Sequence, residues 1–193
     1  SGDTLAVGAP FNDDFEDGSG STYVFKRTGT EWAFQQKLLD PNPVYQGRFG
    51  SSVSVENNTL VIAAYATTHV FTRTGNTWSL EQTLSEVGRS TALSGDTLVL
   101  GDDTADDYGF STGAVTIYER AGTVWSFQQK LLPEDAQGVI WPMFGRAVDV
   151  FDDRLIVGAA SSWLGQGDAY VYERTGSTWN LIQKLNSTSE DAQ

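Results

Sequence analysis

The sequence predicts an all-β fold built from four-stranded antiparallel sheets, because it combines a fourfold repeat, short strand-like segments and tight turns. The repeat is clearest in a tryptophan-led segment, which occurs as WAFQQKLL from Trp32, WSLEQTL from Trp78, WSFQQKLL from Trp125 and WNLIQKL from Trp179. The intervals of 46, 47 and 54 residues between these tryptophans are typical of propellers, solenoids and other repeat architectures.

Three further segments precede the tryptophan segment in a fixed order. The first is led by glycine and occurs in three copies, as FGSSVSV from Phe49, VGRSTAL from Val87 and FGRAVDV from Phe144. The second is a Leu/Val run, found as TLAVGA from Thr4, TLVIAA from Thr59, TLVLGD from Thr97 and RLIVGA from Arg154. The third is an aromatic strand with a basic exit, found as TYVFKRTG from Thr22, THVFTRTG from Thr68, VTIYERAG from Val115 and YVYERTG from Tyr170.

Each copy therefore predicts four short strands rich in β-branched and aromatic residues, joined by Gly, Asn and Asp turns. The turns SGD, ENN and FDD are short enough for tight antiparallel hairpins. Continuous apolar runs such as Leu98 to Leu100 indicate sheets covered on both faces. Four-stranded sheets of this length that cover one another are the blades of a β-propeller. A twisted sandwich is the alternative, but it gives no reason for a fourfold repeat.

The predicted organisation is one repeat domain over residues 1–193. Its copies span approximately residues 1–43, 44–84, 85–134 and 135–193. The first copy has no Gly-led segment, so its sheet is predicted to lack the first strand. The total is then fifteen strands rather than sixteen.

The combined pattern resembles the FG-GAP repeat. Its Phe-Gly pair stands at Phe49-Gly50 and Phe144-Gly145, its Gly-Ala-Pro stands at residues 8–10, and a degenerate form stands at residues 158–160. The resemblance extends over almost the whole chain and is closest to the compact-hairpin variety of bacterial type. It implies a β-propeller, extracellular or at the cell surface, that serves in adhesion or ligand binding as in integrin alpha subunits.

In integrin-type repeats a calcium loop joins the first two strands, but here that junction is only a tight turn. Acidic loops occur instead between the second and third strands. Their carboxylates are candidate Ca²⁺ ligands, because hard oxygen donors suit that ion. They are Asp13, Asp14 and Asp17 in the first copy and Asp102, Asp103, Asp106 and Asp107 in the third. The alternative is that these carboxylates form solvated loop tips and that the protein has no cofactor.

Composition limits the partners and the compartment. The net charge of −13 disfavours nucleic acid, whose phosphates would be repelled. No apolar stretch approaches the ~20 residues that a membrane-spanning helix needs, so membrane insertion is not expected. The absence of cysteine excludes disulfides and leaves the redox compartment open. Sequons at Asn57 and Asn186 fit a secreted glycoprotein.

Signatures of catalysis are scarce in this sequence. The single histidine, His69, occupies a repeat position where Tyr23 and Tyr170 stand in other copies, which predicts a structural role. No nucleophile elbow, histidine cluster or P-loop is present. We therefore expect no enzymatic activity, and a carbohydrate-active enzyme is a distant alternative.

Residues that do not recur are the best candidates for binding. Four of the six tryptophans belong to the repeat, whereas Trp141 and Trp163 do not. Propeller topology places their loops on the face that also carries Tyr45, Phe110 and the acidic loops. This rim is a predicted platform for a protein or glycan ligand, and loop-anchoring tryptophans are the alternative.

The incomplete first copy supports a second functional hypothesis. An unpaired sheet edge invites strand addition, so the chain could assemble into an oligomer or filament through this edge. The gap could also be filled by the chain's own tail or by further repeats of a larger propeller. The predicted function is thus a non-catalytic binding module, with a self-assembling structural subunit as the alternative.

Overall fold

The computed structural model describes residues 1–133, 142–160 and 167–186. These ranges contain fifteen strands in four antiparallel sheets, which we call blades 1 to 4. Blade 1 comprises β1 (Thr4–Ala9), β2 (Ser21–Thr28) and β3 (Glu31–Leu39). Blade 2 comprises β4 (Val53–Glu56), β5 (Thr59–Ala63), β6 (Thr68–Thr74) and β7 (Thr77–Leu84).

The remaining strands repeat the same arrangement. Blade 3 comprises β8 (Ser90–Ser94), β9 (Thr97–Asp102), β10 (Ala114–Ala121) and β11 (Val124–Leu131). Blade 4 comprises β12 (Phe144–Phe151), β13 (Arg154–Ala160), β14 (Gly167–Thr175) and β15 (Thr178–Asn186). Within each sheet the strands are hydrogen-bonded in chain order. One three-stranded and three four-stranded antiparallel sheets confirm the predicted all-β class and the missing first strand, and they are consistent with propeller blades.

Tight turns join the first two strands of each complete blade, as the sequence predicts. Asn57 (φ 52°) lies between β4 and β5, and Asp152 (φ 50°) lies between β12 and β13. Asn and Asp tolerate this left-handed conformation better than most residues. Within the described ranges, the structure contains no helix with the length and apolar character that a membrane crossing requires.

The chain forms two compact units, Ser1–Leu93 and Ser94–Gln193. The first unit contains blades 1 and 2, and the second contains blade 4 and most of blade 3. The division falls within β8. Each unit therefore holds one junction between successive blades.

The junction in the first unit is an apolar core shared by blades 1 and 2. Its buried members are Val24 and Leu38 of blade 1 and Phe49, Leu60, Ile62, Ala64, Phe71 and Trp78 of blade 2. Phe49, from the Phe-Gly pair, is completely buried, and it forms a parallel bridge with Gly20 of blade 1. Phe144 and Gly113 make the same bridge in the second unit. The Phe-Gly pair is therefore a packing element that ties a blade to the one before it.

Glycine is required where the two backbones approach most closely. A Cβ on Gly8 would lie 1.9 Å from the carbonyl oxygen of Gly50, which itself has a φ of +93°. In the second unit, a Cβ on Gly145 (φ +87°) would lie 3.2 Å from the Cα of Gly101, at the repeat position of Gly8. The recurrence of these glycines in both units thus follows from a backbone contact between adjacent blades.

A reciprocal amide bridge joins the outer strands at each junction. The side chain of Gln36 donates to the Trp78 carbonyl oxygen (2.9 Å) and accepts from the Trp78 N–H (2.8 Å). Gln129 and Trp179 form the same pair in the second unit, at 3.0 Å and 2.8 Å. The tryptophan segment is therefore part of the scaffold, since it supplies the glutamine of one blade and the tryptophan of the next.

An arginine completes each junction. Arg73 lies over the Trp78 ring (5.2 Å to its centroid) and donates to the Thr4 hydroxyl of blade 1 (2.9 Å). Arg174 lies over the Trp179 ring (5.6 Å) and donates to the Thr97 hydroxyl of blade 3 (3.3 Å). Cation–π stacking at a partly desolvated site contributes about 1 kcal/mol.

His69 has a structural environment. It is 1% exposed, its Nε2 lies 3.0 Å from the Thr67 hydroxyl, and its Nδ1 lies 3.1 Å from the Thr83 hydroxyl. The buried carboxylate of Asp40, which follows β3, lies 3.7 Å from Nε2. Burial raises the pKa of Asp40, but the neighbouring His69 ring and the hydrogen bond from the Asn42 backbone N–H (2.8 Å) outweigh that effect, so its pKa is below the usual value.

Replacement of Gly8 by alanine is expected to destabilise the protein by about 1–3 kcal/mol, because the new methyl group overlaps a backbone oxygen that cannot move freely. Gly158→Ala is the matched control. It changes the same repeat position in blade 4, where the nearest atoms to a new Cβ lie 3.6 Å away. Chemical denaturation measures both variants. Equal losses of stability would contradict the importance of the glycine contact.

Asp40 is expected to make stability depend on pH in the acid range. Because its pKa is lowered by folding, ionised Asp40 stabilises the native state above its unfolded pKa of about 4, and this contribution is lost as the pH falls through the lower folded value. The wild type should therefore exceed Asp40→Asn in free energy of unfolding at neutral pH, and the difference should shrink below about pH 4. Asp96→Asn, at an exposed ion pair with Arg120, should have the smaller effect. A difference that grows on acidification would contradict this assignment.

Candidate functional site

The two acidic loops share one architecture. In the β1–β2 loop, Asp13 Oδ1 accepts the backbone N–H of Gly18 (2.8 Å). In the β9–β10 loop, Asp106 Oδ1 accepts the backbone N–H of Ser111 (2.6 Å). Both contacts span five residues and close the loop on itself. Asp13 and Asp106 are thus backbone anchors at equivalent positions of the two loops.

The carboxylate directly after each anchor pairs with a lysine of the same blade. Asp14 pairs with Lys37 of β3, and Asp107 pairs with Lys130 of β11 at 2.6 Å. The hydrogen bond to Asp14 raises the pKa of Lys37, and the hydrogen bond from Lys37 to Tyr23 lowers the pKa of that phenol. These contacts fix the base of each loop to its own sheet.

Two of the other predicted calcium ligands have protein partners, and the third is exposed. Asp102 Oδ1 accepts from the backbone N–H and the hydroxyl of Thr104, and Asp103 pairs with Arg146 (2.7 Å). Asp17 is exposed, and its backbone oxygen accepts from the N–H of Gln46. Across residues 1–133, 142–160 and 167–186, no three acidic or histidine side chains are grouped so that they could hold a metal ion. The Ca²⁺ site stays a prediction.

Four exposed aromatic side chains occupy the loops at one end of blades 1 and 2. We call them the loop platform: Phe11 and Phe15 of the β1–β2 loop, Tyr45 of the β3–β4 loop and Tyr65 of the β5–β6 loop. Their exposed fractions are 72%, 64%, 64% and 62%. Tyr45 was predicted as a rim residue. The other three also lack counterparts that recur in all copies, so the same comparison of repeats could have found them.

Backbone hydrogen bonds join the three loops of the platform. The N–H groups of Gln46 and Arg48 donate to the carbonyl oxygens of Asp17 (2.8 Å) and Gly18 (2.9 Å), respectively. The N–H of Tyr65 donates to the carbonyl oxygen of Gly47 (2.7 Å). The Arg48 guanidinium lies over the Phe11 ring, 5.6 Å from its centroid. The loops thus form one connected surface.

The second unit exposes a smaller aromatic set in the equivalent loop of blade 3. Phe110 is 69% exposed and Tyr108 is 41% exposed. Trp141 and Trp163, predicted as rim residues, lie outside the described residues. Their part in a binding surface stays a prediction.

The two predicted glycosylation sites lie in a turn and at the end of a strand. Asn57 is exposed in the β4–β5 turn, and its backbone oxygen accepts from Arg73. Asn186 is the last residue of β15 and is exposed. The rest of its sequon lies beyond the described residues, so glycosylation stays a prediction at both positions.

Comparison with known structures supports the fold. A crystal structure of a protein from Lactobacillus plantarum is similar to this chain, with a TM-score of 0.63 and 16% sequence identity. The similarity covers 99% of this chain and 55% of that one, so this chain spans little more than half the length of that protein. At this identity the likeness shows the fold alone.

A comparison with curated proteins found no match. The model of the FG-GAP repeat matches residues 32–77 and 125–172. Each matched region runs from the outer strand of one blade into the next blade of the same unit, and therefore spans one of the two junctions described above. Over these two regions, the chain belongs to the FG-GAP repeat family.

Proposed function

We propose that this FG-GAP repeat protein is a non-catalytic binding or adhesion module, located outside the cell or on its surface. Its ligand is a protein or a glycan, bound through the loop platform of the first unit. The observation that carries the proposal is the exposure of four aromatic side chains on three loops that are hydrogen-bonded together.

Large exposed apolar side chains are unusual when they are grouped in loops. Single exposed apolar residues are common on protein surfaces, but a group of them is typical of an interaction site. Phenylalanine, tyrosine and arginine are enriched at the centres of protein interfaces, and Arg48 lies over Phe11 within the platform. Side chains exposed by more than half suit the surface of a macromolecule better than an enclosed small molecule.

The platform is held in a defined conformation, which lowers the entropic cost of binding. Gln46 and Arg48, on either side of Gly47, both have positive φ values, of 53° and 52°. Non-glycine residues adopt this conformation at a cost, and such residues often cluster at functional sites. Their N–H groups make the hydrogen bonds to Asp17 and Gly18, so this backbone conformation holds the loop that carries Tyr45 on the β1–β2 loop.

The charge around the platform favours a ligand with basic groups. Asp13, Glu16 and Asp17 are exposed beside Phe15, and the whole chain has a net charge of −13. Opposite charges at an interface speed association and select partners. We therefore favour a protein ligand with a basic patch, and glycan binding is the other outcome that the test distinguishes.

The variants Phe15→Ala and Tyr45→Ala test the platform. Each removes an exposed ring, so we expect little change in melting temperature but a loss of affinity of about tenfold or more for a ligand selected from a displayed peptide library or a glycan array. Phe127→Ala is the matched control, because Phe127 is 60% exposed but lies on β11 of the second unit. Binding that survives both platform variants, or falls equally in the control, would contradict the proposal. Selection of glycans without any peptide would identify the ligand class as carbohydrate.

A further inference from the structure

A polar cleft lies between blades 1 and 2 where β1 begins, whereas the loop platform follows the end of β1. The volume of the cleft is about 400 Å³. Thr4 and Lys26 of blade 1 and Asn58 and Arg73 of blade 2 line it. Each of these four residues has a repeat counterpart in the second unit, in the same order Thr97, Glu119, Asp153 and Arg174.

In the second unit, two carboxylates of the protein surround the arginine. Glu119 Oε1 accepts from the Thr97 hydroxyl (2.8 Å) and pairs with Arg174 Nη1 (2.5 Å). Asp153 Oδ1 accepts from Nε of the same arginine (2.7 Å). The guanidinium is therefore neutralised within the protein, and the buried Thr97 hydroxyl has an anionic acceptor.

The first unit has the same framework without either carboxylate. Lys26 stands at the position of Glu119, and Asn58 stands at the position of Asp153. The four positions thus carry a formal charge of +2 in the first unit, from one arginine and one lysine. In the second unit they carry −1, from one arginine and two carboxylates. In a chain with a net charge of −13, the cleft is a local concentration of positive charge.

The surroundings of the four positions are alike in the two units. A tight turn precedes the buried threonine in each, and the aspartate of that turn pairs with an arginine. These pairs are Asp3 with Arg27 at 3.0 Å and Asp96 with Arg120 at 2.8 Å. The turn of the second unit leaves room for the carboxylate of Glu119, so the equivalent turn leaves room for a carboxylate in the first.

Neutral groups hold both cations of the cleft in place. The Arg73 guanidinium donates to the Asn58 side-chain oxygen from Nε (3.0 Å) and Nη2 (2.8 Å), and to the Thr4 hydroxyl from Nη1 (2.9 Å). Lys26 Nζ donates to the Asn76 side-chain oxygen (3.1 Å). Within the described residues, every hydrogen-bond partner of these two cations is neutral. Both can form stronger, charge-assisted hydrogen bonds with an anion.

The Thr4 hydroxyl has a hydrogen to donate. Thr4 is 4% exposed, and its oxygen accepts from Arg73. Thr97 gives its hydrogen to Glu119, but in the part of the chain that the structure describes no acceptor takes the hydrogen of Thr4. Buried hydroxyl groups normally have such an acceptor. An anion at the position of the Glu119 carboxylate would supply it.

We propose that this cleft binds the carboxylate of a small organic acid, at the position that the Glu119 carboxylate occupies in the second unit. The carboxylate accepts from Arg73 and from the Thr4 hydroxyl, and it pairs with Lys26. The planar guanidinium suits a carboxylate in particular, and a cleft of this volume suits a small molecule. This site is separate from the loop platform, so it does not depend on the function proposed for that surface.

Titration with succinate, followed in NMR spectra of the protein, tests the proposal. At low ionic strength we expect saturable shifts at the amides of Thr4, Lys26 and Arg73, with a dissociation constant on the order of 1 mM. Lys26→Gln should raise that constant about tenfold. Lys130→Gln removes the same charge from β11 and should leave it unchanged. Sodium chloride at equal ionic strength is the control for screening, and a wild type without saturable shifts would overturn the proposal.

Exchanging residues between the units tests the position of the carboxylate. Lys26→Glu gives Arg73 an internal carboxylate, so it should abolish succinate binding and raise the melting temperature without ligand. The double variant Glu119→Lys/Asp153→Asn should create a second succinate site in the second unit. Circular dichroism verifies that the variants are folded. Succinate binding that survives Lys26→Glu, or a folded double variant with no second site, would contradict the proposal. Binding of inorganic phosphate but not of succinate would overturn the assignment to a carboxylate.

Discussion

The close approach of two backbones at the blade junction is the constraint on which the rest of the structure depends. Gly8 and Gly50 meet where no side chain would fit, and this contact lets Phe49 enter the shared apolar core. The same approach recurs between Gly101 and Gly145, where Phe144 is buried. Blades of this repeat are therefore not independent sheets, because each completes its core with the face of a neighbour.

The junction also positions the candidate binding surface. The bridge between Gly20 and Phe49 lies directly beside the loops of Phe11, Phe15 and Tyr45. From this fixed point the chain continues into hydrogen bonds that join the loops. The aromatic platform is thus supported by the blade junction, which fits the general rule that functional loops are held by a rigid scaffold.

Much of the fold could be predicted from the sequence, because strand length, turn residues and the repeat all depend on local chemistry. The missing first strand of blade 1 was predicted by counting segments. The partners of Gln36 and Asp13 could not be predicted, since Gln36 bonds across a junction and Asp13 closes its own loop on Gly18. Likewise, the ion pairs of Asp14 and Asp107 with lysines of their own blades depend on tertiary structure.

Amide hydrogen exchange at the repeated tryptophans tests most directly that a side-chain bridge joins adjacent blades. The N–H groups of Trp78 and Trp179 donate to glutamine side chains, so they should exchange at the slow rates of hydrogen-bonded strand residues. The N–H of Trp32, whose side chain is 44% exposed, should exchange much faster. Gln36→Ala should speed exchange at Trp78 and leave Trp179 unchanged. Equal exchange rates at Trp32 and Trp78 would contradict this account.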